Sequence, residues 1–343
     1  MAAWVLADGV TSIPNTKSPL SIAKQAPRFK AATYTIPFDC SVSYCAKPGG
    51  DWKDLASLGQ AGGVVKVPAC HEWQLYISDQ DPRTWGDIGK GLTSLNRPSL
   101  HVHPDSEDLL QFLPHLNKVN NVIFCSPELT DADLQALTLC TGLWGLDCSG
   151  DELTNDGLKY LKQLTAIKSL DIRGDNLSDE SLKHIAALTT LEELHLYGEN
   201  YTDAGVAALA SLTNLEYLNI NCANVTDKGL AILRSFPKLR RVTLQGKFTT
   251  KALANLQGMN LQWLELTSET LGDDVMKYTR DMASLEILDL SGVNLSATGV
   301  AMLKDHRALR KLTLSKSVPL DSLSHLAGLT QLEQLEFSGS FSA

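Results

Sequence analysis

A strand-like motif recurs along this chain at an almost constant spacing. The first apolar residue of the pattern L-x-x-L-x-L falls at Val119, Leu143, Ile167, Leu191, Leu215, Leu239, Leu261, Leu285, Leu309 and Leu332. Every step is 24 residues, except for one of 22 at Leu261 and a last one of 23. Two weaker copies, at 95–100 and 75–77, precede this series. A period in this range predicts a solenoid, in which each copy is one structural unit stacked on the next.

The copy at 191–214 shows what each position of the unit does. Alternation predicts a strand with Leu194 and Leu196 facing a core, so that the residues between them face outward. Gly198 then predicts a turn. Thr202 suits a helix N-cap, because its hydroxyl can accept a backbone hydrogen bond, and an apolar-periodic run follows it. One such unit buries too little apolar surface to fold alone, so the units must share a continuous core.

The turn and cap positions form columns through the repeats. The glycine column holds Gly150, Gly174, Gly198 and Gly292. The hydroxyl column holds Thr130, Thr154, Ser178, Thr202, Thr226 and Ser296. Acids follow it at Asp131, Asp179, Asp203 and Asp227, where they suit the positive end of a helix.

These residues resemble the leucine-rich repeat family. The form LEYLNINCANVTDKGL, beginning at Leu215, is similar to the ribonuclease-inhibitor-like class and to bacterial arrays with T-D-x-G-L in every unit. The resemblance implies an α/β fold: a right-handed solenoid of about 10–12 repeats, with a parallel sheet on the concave face and helices on the convex face. It also implies recognition of a macromolecule by the concave face, and no enzymatic activity.

Residues 1–70 do not follow the repeat. We expect them to form an irregular N-terminal cap over the first core layer of a solenoid at 71–343, or a separate small functional domain. Thr33 to Ile36 are strand-like, and Asp51 to Leu58 are compatible with a short helix. Cys40 and Cys45 are compatible with a small hairpin disulfide or with two free thiols.

Charge and composition restrict the partner. The chain is 43% hydrophobic and 20% charged, as in ordered globular proteins. Its net charge of −9 argues against general nucleic-acid binding. Residues 1–70 hold 7 Lys and Arg and 4 Asp and Glu, a net charge of +3, which leaves −12 for the rest. The acidic repeats therefore favour a protein partner with a basic surface.

The sequence gives little information about the cellular compartment of the protein. No apolar run approaches the roughly 18–20 residues of a membrane span, and the first residues lack the basic region of a signal peptide. Either the protein is not exported, or a signal was removed before Met1. Cys140 and Cys148 fall in inward columns, which slightly favours a reducing cytoplasm over secretion.

The outward columns supply the candidate ligand-binding residues. The centre column runs from Ile123 through Asp147, Asp171, His195 and later strands to Glu336. Neighbouring strands lie about 4.8 Å apart, so outward residues of consecutive copies form one patch. The predicted patch is His195, Tyr197, Tyr217, Asn219, Asn221, Arg241 and Trp263. Aromatic residues and Arg are typical interface anchors. We expect Asp147 and Asp171 to add a solvated acidic strip rather than a catalytic pair.

Other motifs have plainer explanations. Cys70, His71, His101 and His103 do not form a convincing tetrahedral set, so neither metal nor cofactor is predicted. Sequons begin at Asn176, Asn200, Asn224 and Asn294, where the repeat places a turn Asn two residues before the cap hydroxyl.

Three functions are compatible with these residues besides catalysis. The first is a non-catalytic protein-binding scaffold. The second is a structural or cell-surface component that self-associates through the open edge of its last strand, near Leu335 to Phe337. The third is a substrate-recognition adaptor or effector. An enzyme confined to residues 1–70 is the weakest reading, because that block has no His and no nucleotide-binding loop.

Overall fold

A computed structural model describes residues 32–36, 40–45, 52–58, 63–67, 72–77, 99–102, 122–126, 129–140, 142–268 and 270–338. The described residues fall into two compact units, within 16–177 and within 178–343. Each unit contains parallel strands that alternate with short helices, which is the leucine-rich-repeat solenoid implied by the repeat pattern.

The first unit begins with antiparallel strands and continues with parallel ones. Its strands are β1 (Ala32–Ile36), β2 (Cys40–Cys45), β3 (Trp52–Leu58), β4 (Gly63–Val67), β5 (Glu72–Ile77), β6 (Ser99–Val102), β7 (Val122–Ser126), β8 (Leu143–Ser149) and β9 (Ser169–Arg173). β1 pairs antiparallel with β4, and β2 pairs antiparallel with both β3 and β5. From β5 to β9 all pairing is parallel. β5 and β6 confirm the two weak repeats.

Two local predictions in the N-terminal region are wrong. The residues compatible with a helix from Asp51 to Leu58 form strand β3, because pairing with β2 decides a segment of weak local preference. The proposed hairpin disulfide also fails. Cys40 and Cys45 are the two ends of one extended strand, which separates their Cα atoms by about 16 Å. A disulfide needs Cα atoms within about 7 Å. The strand expected at Thr33 to Ile36 is confirmed as β1.

The outward centre column does not start where the 24-residue count placed it. A register shift between Val122 and Ile123 brings Cys125, rather than Ile123, opposite Asp147. Beyond that point the count holds, since Asp147 pairs with Asp171.

The second unit contains a parallel run of seven strands. They are β10 (Glu193–Tyr197), β11 (Tyr217–Asn221), β12 (Arg241–Gln245), β13 (Trp263–Thr267), β14 (Ile287–Gly292), β15 (Lys311–Ser315) and β16 (Gln334–Ser338). The 22-residue repeat keeps its strand in register, from Arg241 opposite Trp263 to Gln245 opposite Thr267. Its two missing residues are therefore absorbed in the turn, where Phe248 is 2% exposed. A register shift appears one strand later, between β13 and β14.

The connections between strands are short helices, and many are 3-10 helices. Among the described residues, the α-helices are Asp131–Leu137, Asp179–Ile185, Asp203–Ala207, Met276–Thr279 and Ala297–Met302. The 3-10 helices are Gly157–Gln163, Ala208–Ser211, Gly229–Ser235, Ala252–Leu256, Asp273–Val275, Leu303–Asp305 and Leu320–Gly328. The three-residue spacing of Leu158, Leu161 and Leu164 matches the 3-10 period. None of the described helices combines the length and apolar character that a bilayer crossing requires.

The core consists of the inward columns. Leu194, Leu218, Leu264 and Leu288 are fully buried, and so are their counterparts Leu170, Val242 and Leu312. Cys140 and Cys222 are buried free thiols, as small apolar residues would be.

The glycine column has a different role from the one the sequence indicated. Positive φ values among the described glycines occur at Gly258 and at Gly246, which follows β12 as Gly198 follows β10, but not at the four glycines of the column. A Cβ at Gly150 would instead lie 2.5 Å from the carbonyl oxygen of Leu129, and one at Gly292 would lie 2.7 Å from Thr267. These glycines therefore permit neighbouring repeats to approach closely, and any turn they make does not require a left-handed conformation.

Hydrogen bonds between repeats explain the T-D-x-G motif. The carboxylates of five aspartates accept both the backbone N–H and the hydroxyl of the Thr or Ser one repeat later; we call this set the aspartate ladder. Its pairs are Asp131 with Thr154, Asp179 with Thr202, Asp203 with Thr226, Asp227 with Thr249, and Asp273 with Ser296. The distances are 2.5–2.9 Å. The hydroxyls of Thr130, Thr202 and Ser296 accept the predicted N-cap bond, those of Thr154 and Thr226 also accept a backbone N–H, and that of Ser178 makes no cap bond.

The glycine of the motif makes room for the ladder. A Cβ at Gly157, Gly205 or Gly299 would lie 1.8–2.2 Å from a carboxylate oxygen of the preceding repeat. Burial acts to raise the pKa of Asp203, but hydrogen bonds from Thr226 and Gly229 and the charge of Lys228 outweigh it and lower that pKa. The turn asparagines add further links. Asn224 donates to the carbonyl of Glu199 at 2.6 Å, which supports the structural explanation of the sequons.

Candidate functional site

The candidate site lies on the side of β10–β16 away from the buried leucines, which we call the outward face. Parallel pairing aligns its residues into rows that cross the strands. The first row holds Glu193, Tyr217, Arg241, Trp263, Ile287, Lys311 and Gln334. The centre row holds His195, Asn219, Thr243, Glu265, Asp289, Thr313 and Glu336. The third row begins with Tyr197, Asn221, Gln245 and Thr267.

An ion pair spans three strands of the first row. Arg241 Nη2 lies 3.5 Å from Glu193 Oε1, and both side chains are almost fully buried. The guanidinium carbon of Arg241 lies 4.9 Å from the ring centre of Tyr217, on the intervening strand. The Tyr217 hydroxyl lies 3.4 Å from Thr243 Oγ1. A buried charge needs an oppositely charged partner, and a cation over an aromatic ring is attracted to the face of that ring. Glu193, Arg241 and Tyr217 therefore hold one another in place.

His195 completes an aromatic cluster beside this ion pair. Its ring meets Tyr217 edge-on at 4.6 Å and stacks with Tyr197 at 6.5 Å. Asn219 Nδ2 donates to the Tyr197 hydroxyl at 3.1 Å. Burial lowers the pKa of His195 to about 4, and the positive charge of Arg241 acts in the same direction. His195 is therefore neutral at physiological pH, and the cluster is a fixed surface rather than a proton switch in that range.

The third row is more open to solvent. Asn221 and Tyr197 are half-buried, and Gln245 is exposed. Asn221 Nδ2 donates to Gln245 Oε1 at 3.0 Å. This row therefore offers polar groups at the edge of the aromatic cluster, in the arrangement of a polar rim beside an apolar centre.

Several buried polar atoms of the outward face have no hydrogen-bond partner. They include His195 Nδ1, Asn219 Oδ1, Trp263 Nε1 and Thr313 Oγ1. Buried polar groups are normally satisfied, and each unmet one costs about 1–3 kcal/mol. A bound chain or ordered water that reached these atoms would recover that free energy. The arrangement thus has groups available for recognition, both donors and acceptors.

The structure brings together the seven residues of the predicted patch, but it ranks them differently. Tyr217 and Arg241 are 5% and 6% exposed, so they support the surface more than they present it. Tyr197, Asn221 and Trp263 are the more accessible members.

Glu193 and Thr243 were missed as members of the cluster, although both lie at outward positions of the repeat. The sequence did contain a signal for Glu193. It is an acid in the same column as Tyr217 and Arg241, one strand from the first and two strands from the second.

Asp147 and Asp171 lie in the other unit, on neighbouring strands β8 and β9. Both side chains are half-buried. Burial raises the pKa of Asp171 to about 7; the charge of Asp147 adds to this effect, and that of Arg173 opposes it. Asp171 therefore keeps its proton to a higher pH than a solvated aspartate would, because burial and a neighbouring negative charge both disfavour its ionised form.

Metal binding has little support in the described part of the chain. Its residues contain no group of three or more His, Cys, Asp and Glu arranged to hold a metal ion. Cys70, His71 and His103 of the set considered above fall outside the described residues.

Comparison with known proteins gives structural likenesses alone. No protein-family model and no curated protein matches the chain. An internalin (inlF) from Listeria monocytogenes is 18% identical over 76% of this chain and 78% of its own, with a TM-score of 0.49. TLR13, solved in complex with ssRNA13, is 17% identical over 73% of this chain and 41% of its own, with a TM-score of 0.43. This chain therefore spans less than half of the TLR13 chain.

Proposed function

We propose that this protein is a non-catalytic scaffold that binds a protein partner through the outward face of its repeats, the face that the leucine-rich-repeat resemblance implies to be concave. The proposed ligand-binding residues are Tyr197, Asn221 and Trp263, supported from beneath by His195, Tyr217, Asn219 and Arg241. Asp147 and Asp171 of the other unit are proposed separately as acidic binding residues. We further propose that residues 1–70 cap the solenoid of residues 71–343, and that the repeats are of the ribonuclease-inhibitor-like class.

One observation carries this proposal: an aromatic cluster on the outward face contains buried polar atoms without partners. His195 is 5% exposed and Asn219 is 7% exposed, yet each has an unmet polar atom. Protein interfaces place aromatic residues and Arg at a desolvated centre, and a partner satisfies their polar atoms. The acidic repeats favour a partner with a basic surface, because complementary charge speeds association and excludes acidic competitors.

The test replaces accessible residues of the face and leaves the buried cluster intact. Asn221→Ala/Gln245→Ala removes both members of a hydrogen-bonded pair, so neither polar side chain is left without its partner. Lys251→Ala/Gln257→Ala is the matched control, because both residues are exposed at the other side of a repeat. In quantitative affinity purification from the source cells, we expect the partner to be lost with the first variant and kept with the second. A partner kept equally by both variants would refute the assignment of the face.

Self-association through the edge strand β16 is a second candidate. Leu335 and Phe337 of β16 are only half-buried, whereas their counterparts Leu312 and Leu314 in β15 are fully buried. Among the described strands, β16 pairs with β15 alone. An unpaired strand edge with partly exposed apolar side chains favours pairing with another chain. Light scattering of the full chain at high concentration distinguishes the two functions, because a monomer contradicts this one.

A further inference from the structure

We propose that Glu265 and Asp289 on the outward face form an acidic anchor that receives a Lys or Arg side chain of the protein partner. This inference rests on the proposed function and specifies the partner: it presents a basic side chain to β13 and β14. The two acids were not among the residues that the sequence singled out for binding.

The two carboxylates lie side by side without a compensating ion pair. Glu265 on β13 is directly opposite Asp289 on β14 in the centre row. Like charges directly opposite one another on neighbouring strands destabilise a sheet. Among the described residues, neither acid has a basic group within ion-pairing distance. Lys311 of the first row acts on Glu265 through its charge, but its ion pair is with Glu336, at 2.9 Å.

The existing hydrogen bonds leave room for a ligand. Glu265 Oε2 accepts a long bond of 3.4 Å from the Thr243 hydroxyl. One oxygen of Asp289 accepts the backbone N–H of Ser291 at 2.8 Å. A carboxylate has about four acceptor positions, so both acids retain acceptors for an ammonium or guanidinium group.

Burial makes the charge of Glu265 costly in the free protein. Desolvation raises the pKa of Glu265, and the charge of Asp289 raises it further, against the opposing effects of Thr243 and Lys311. A cation placed between the two acids would remove that cost. An anchor of this kind therefore gains more from a basic side chain than two solvated acids would.

Two neighbouring groups give independent support for a ligand at this place. The Thr313 hydroxyl follows Asp289 in the centre row, is 7% exposed and has no hydrogen-bond partner. Trp263 lies two residues before Glu265 on the same strand and the same face, and its Nε1 is also buried without a partner. Thr313 can accept an N–H of the incoming side chain. The Trp263 ring offers a surface for a cation or its alkyl stem, and its N–H can donate to a carbonyl of the bound chain.

A metal ion fits this place less well than a side chain does. Ca²⁺ takes six to eight oxygen ligands, so two carboxylates supply a minority of them, and Mg²⁺ at one or two carboxylates usually depends on substrate phosphates and water for the rest. The part of the chain that is described offers no third acid, His or Cys to complete such a set. A protein-borne cation needs no complete shell, because its remaining donors stay in solvent or bind the partner.

The experiment selects peptides from a random phage-displayed library on the full chain, and measures the affinities of synthetic copies. The test variant is Glu265→Gln/Asp289→Asn, which removes two charges and keeps both shapes. The control is Glu180→Gln/Asp274→Asn, which removes two exposed acids that form surface pairs beside the helices. We expect the selected peptides to share a Lys or Arg whose replacement by Ala weakens binding at least tenfold. The test variant should lose the same factor for the parent peptide and nothing for the Ala peptide, and the control should match the parent.

The outcomes separate the two proposals. If peptides bind the parent, lose binding with Asn221→Ala/Gln245→Ala, and bind Glu265→Gln/Asp289→Asn unchanged, then the anchor is refuted and the outward-face function stands. If no selected peptide depends on any outward-face residue, both proposals fall. A metal alternative is tested by adding Ca²⁺ or Mg²⁺ to the parent: a rise in melting temperature that the test variant abolishes would overturn the side-chain anchor.

Discussion

Replacing Gly299 with alanine is expected to break one link of the aspartate ladder, the link between Asp273 of the preceding repeat and Ser296. The new Cβ would lie 2.2 Å from Asp273 Oδ1 and 2.8 Å from its Cγ, so the Asp273 side chain must move. That movement takes the carboxylate away from the Ser296 N–H at 2.8 Å and the Ser296 hydroxyl at 2.5 Å. Two charge-assisted bonds are worth roughly 1.5–3 kcal/mol each, which gives about 3–6 kcal/mol. Alanine favours the helix by about 1 kcal/mol over glycine, so the net loss is about 2–5 kcal/mol.

A double-mutant cycle tests the cause of this loss. Asp273→Ala should cost a similar amount, because it removes the same two bonds. The double variant Gly299→Ala/Asp273→Ala should cost no more than Asp273→Ala alone, since the clashing carboxylate is already absent. Urea unfolding followed by circular dichroism gives each free energy. A shift of about 1 M in the urea midpoint is expected for either single change.

The matched control is Gly328→Ala. Gly328 is exposed, has no positive φ, and has no atom within 4 Å of an added Cβ. We expect its replacement to be neutral or to stabilise by up to about 1 kcal/mol. Additive effects of Gly299→Ala and Asp273→Ala would contradict the proposed steric link between them. An equal loss in Gly328→Ala would show that glycine replacement, rather than the ladder, is responsible.

Three further changes test the electrostatics. Arg241→Met should cost about 3–5 kcal/mol at pH 7, because the buried Glu193 carboxylate loses its partner, and Arg241→Met/Glu193→Gln should recover most of it in the same urea assay. The folded-state pKa of Asp171, about 7, is raised, so the folded protein binds the extra proton and stability falls as pH rises from about 4 to 7. Asp171→Asn should therefore stabilise by up to roughly 4 kcal/mol at pH 8 and little at pH 4; an equal effect at both would contradict the shift. The pKa of His195 is lowered to about 4, so the unfolded chain binds the extra proton and stability rises with pH from about 4 to 6.5. His195→Gln should remove about 3 kcal/mol of that rise, measured as the difference between unfolding free energies at pH 4 and pH 7.

Much of the fold could be predicted from the sequence, because the same pattern of apolar, turn and cap residues recurs in many copies. The 24-residue step located β8–β12 and β14–β15, and the alternation Leu194, Leu196 identified the inward face. Repetition also resolves ambiguous secondary-structure preferences. A residue with no clear preference for helix or strand is interpreted from the equivalent residues in the other repeats. Where repetition stops, prediction weakened. The segment at Asp51 to Leu58 has one copy and no column, and its strand is decided by pairing with β2.

The candidate site was only partly readable for a related reason. The outward columns placed His195, Tyr217 and Arg241 near one another, since parallel register follows from equal spacing. Their burial did not follow from spacing. That His195 is neutral, and that Arg241 reaches over Tyr217 to Glu193, depends on how the side chains fill the space between strands.

Sequence periodicity determined which residues are neighbours, because a fixed step brings equivalent positions onto adjacent strands whatever those residues are. Tertiary structure decided what the neighbours do to one another. The T-D-x-G motif looked like a cap followed by an acid for the helix dipole, and the structure shows Asp203 binding Thr226 of the next repeat above Gly229. Periodicity also does not predict how strongly each side chain is desolvated. Burial raises the pKa of Asp171 and that of Glu265, and the neighbouring charges of Asp147 and Asp289 act in the same direction.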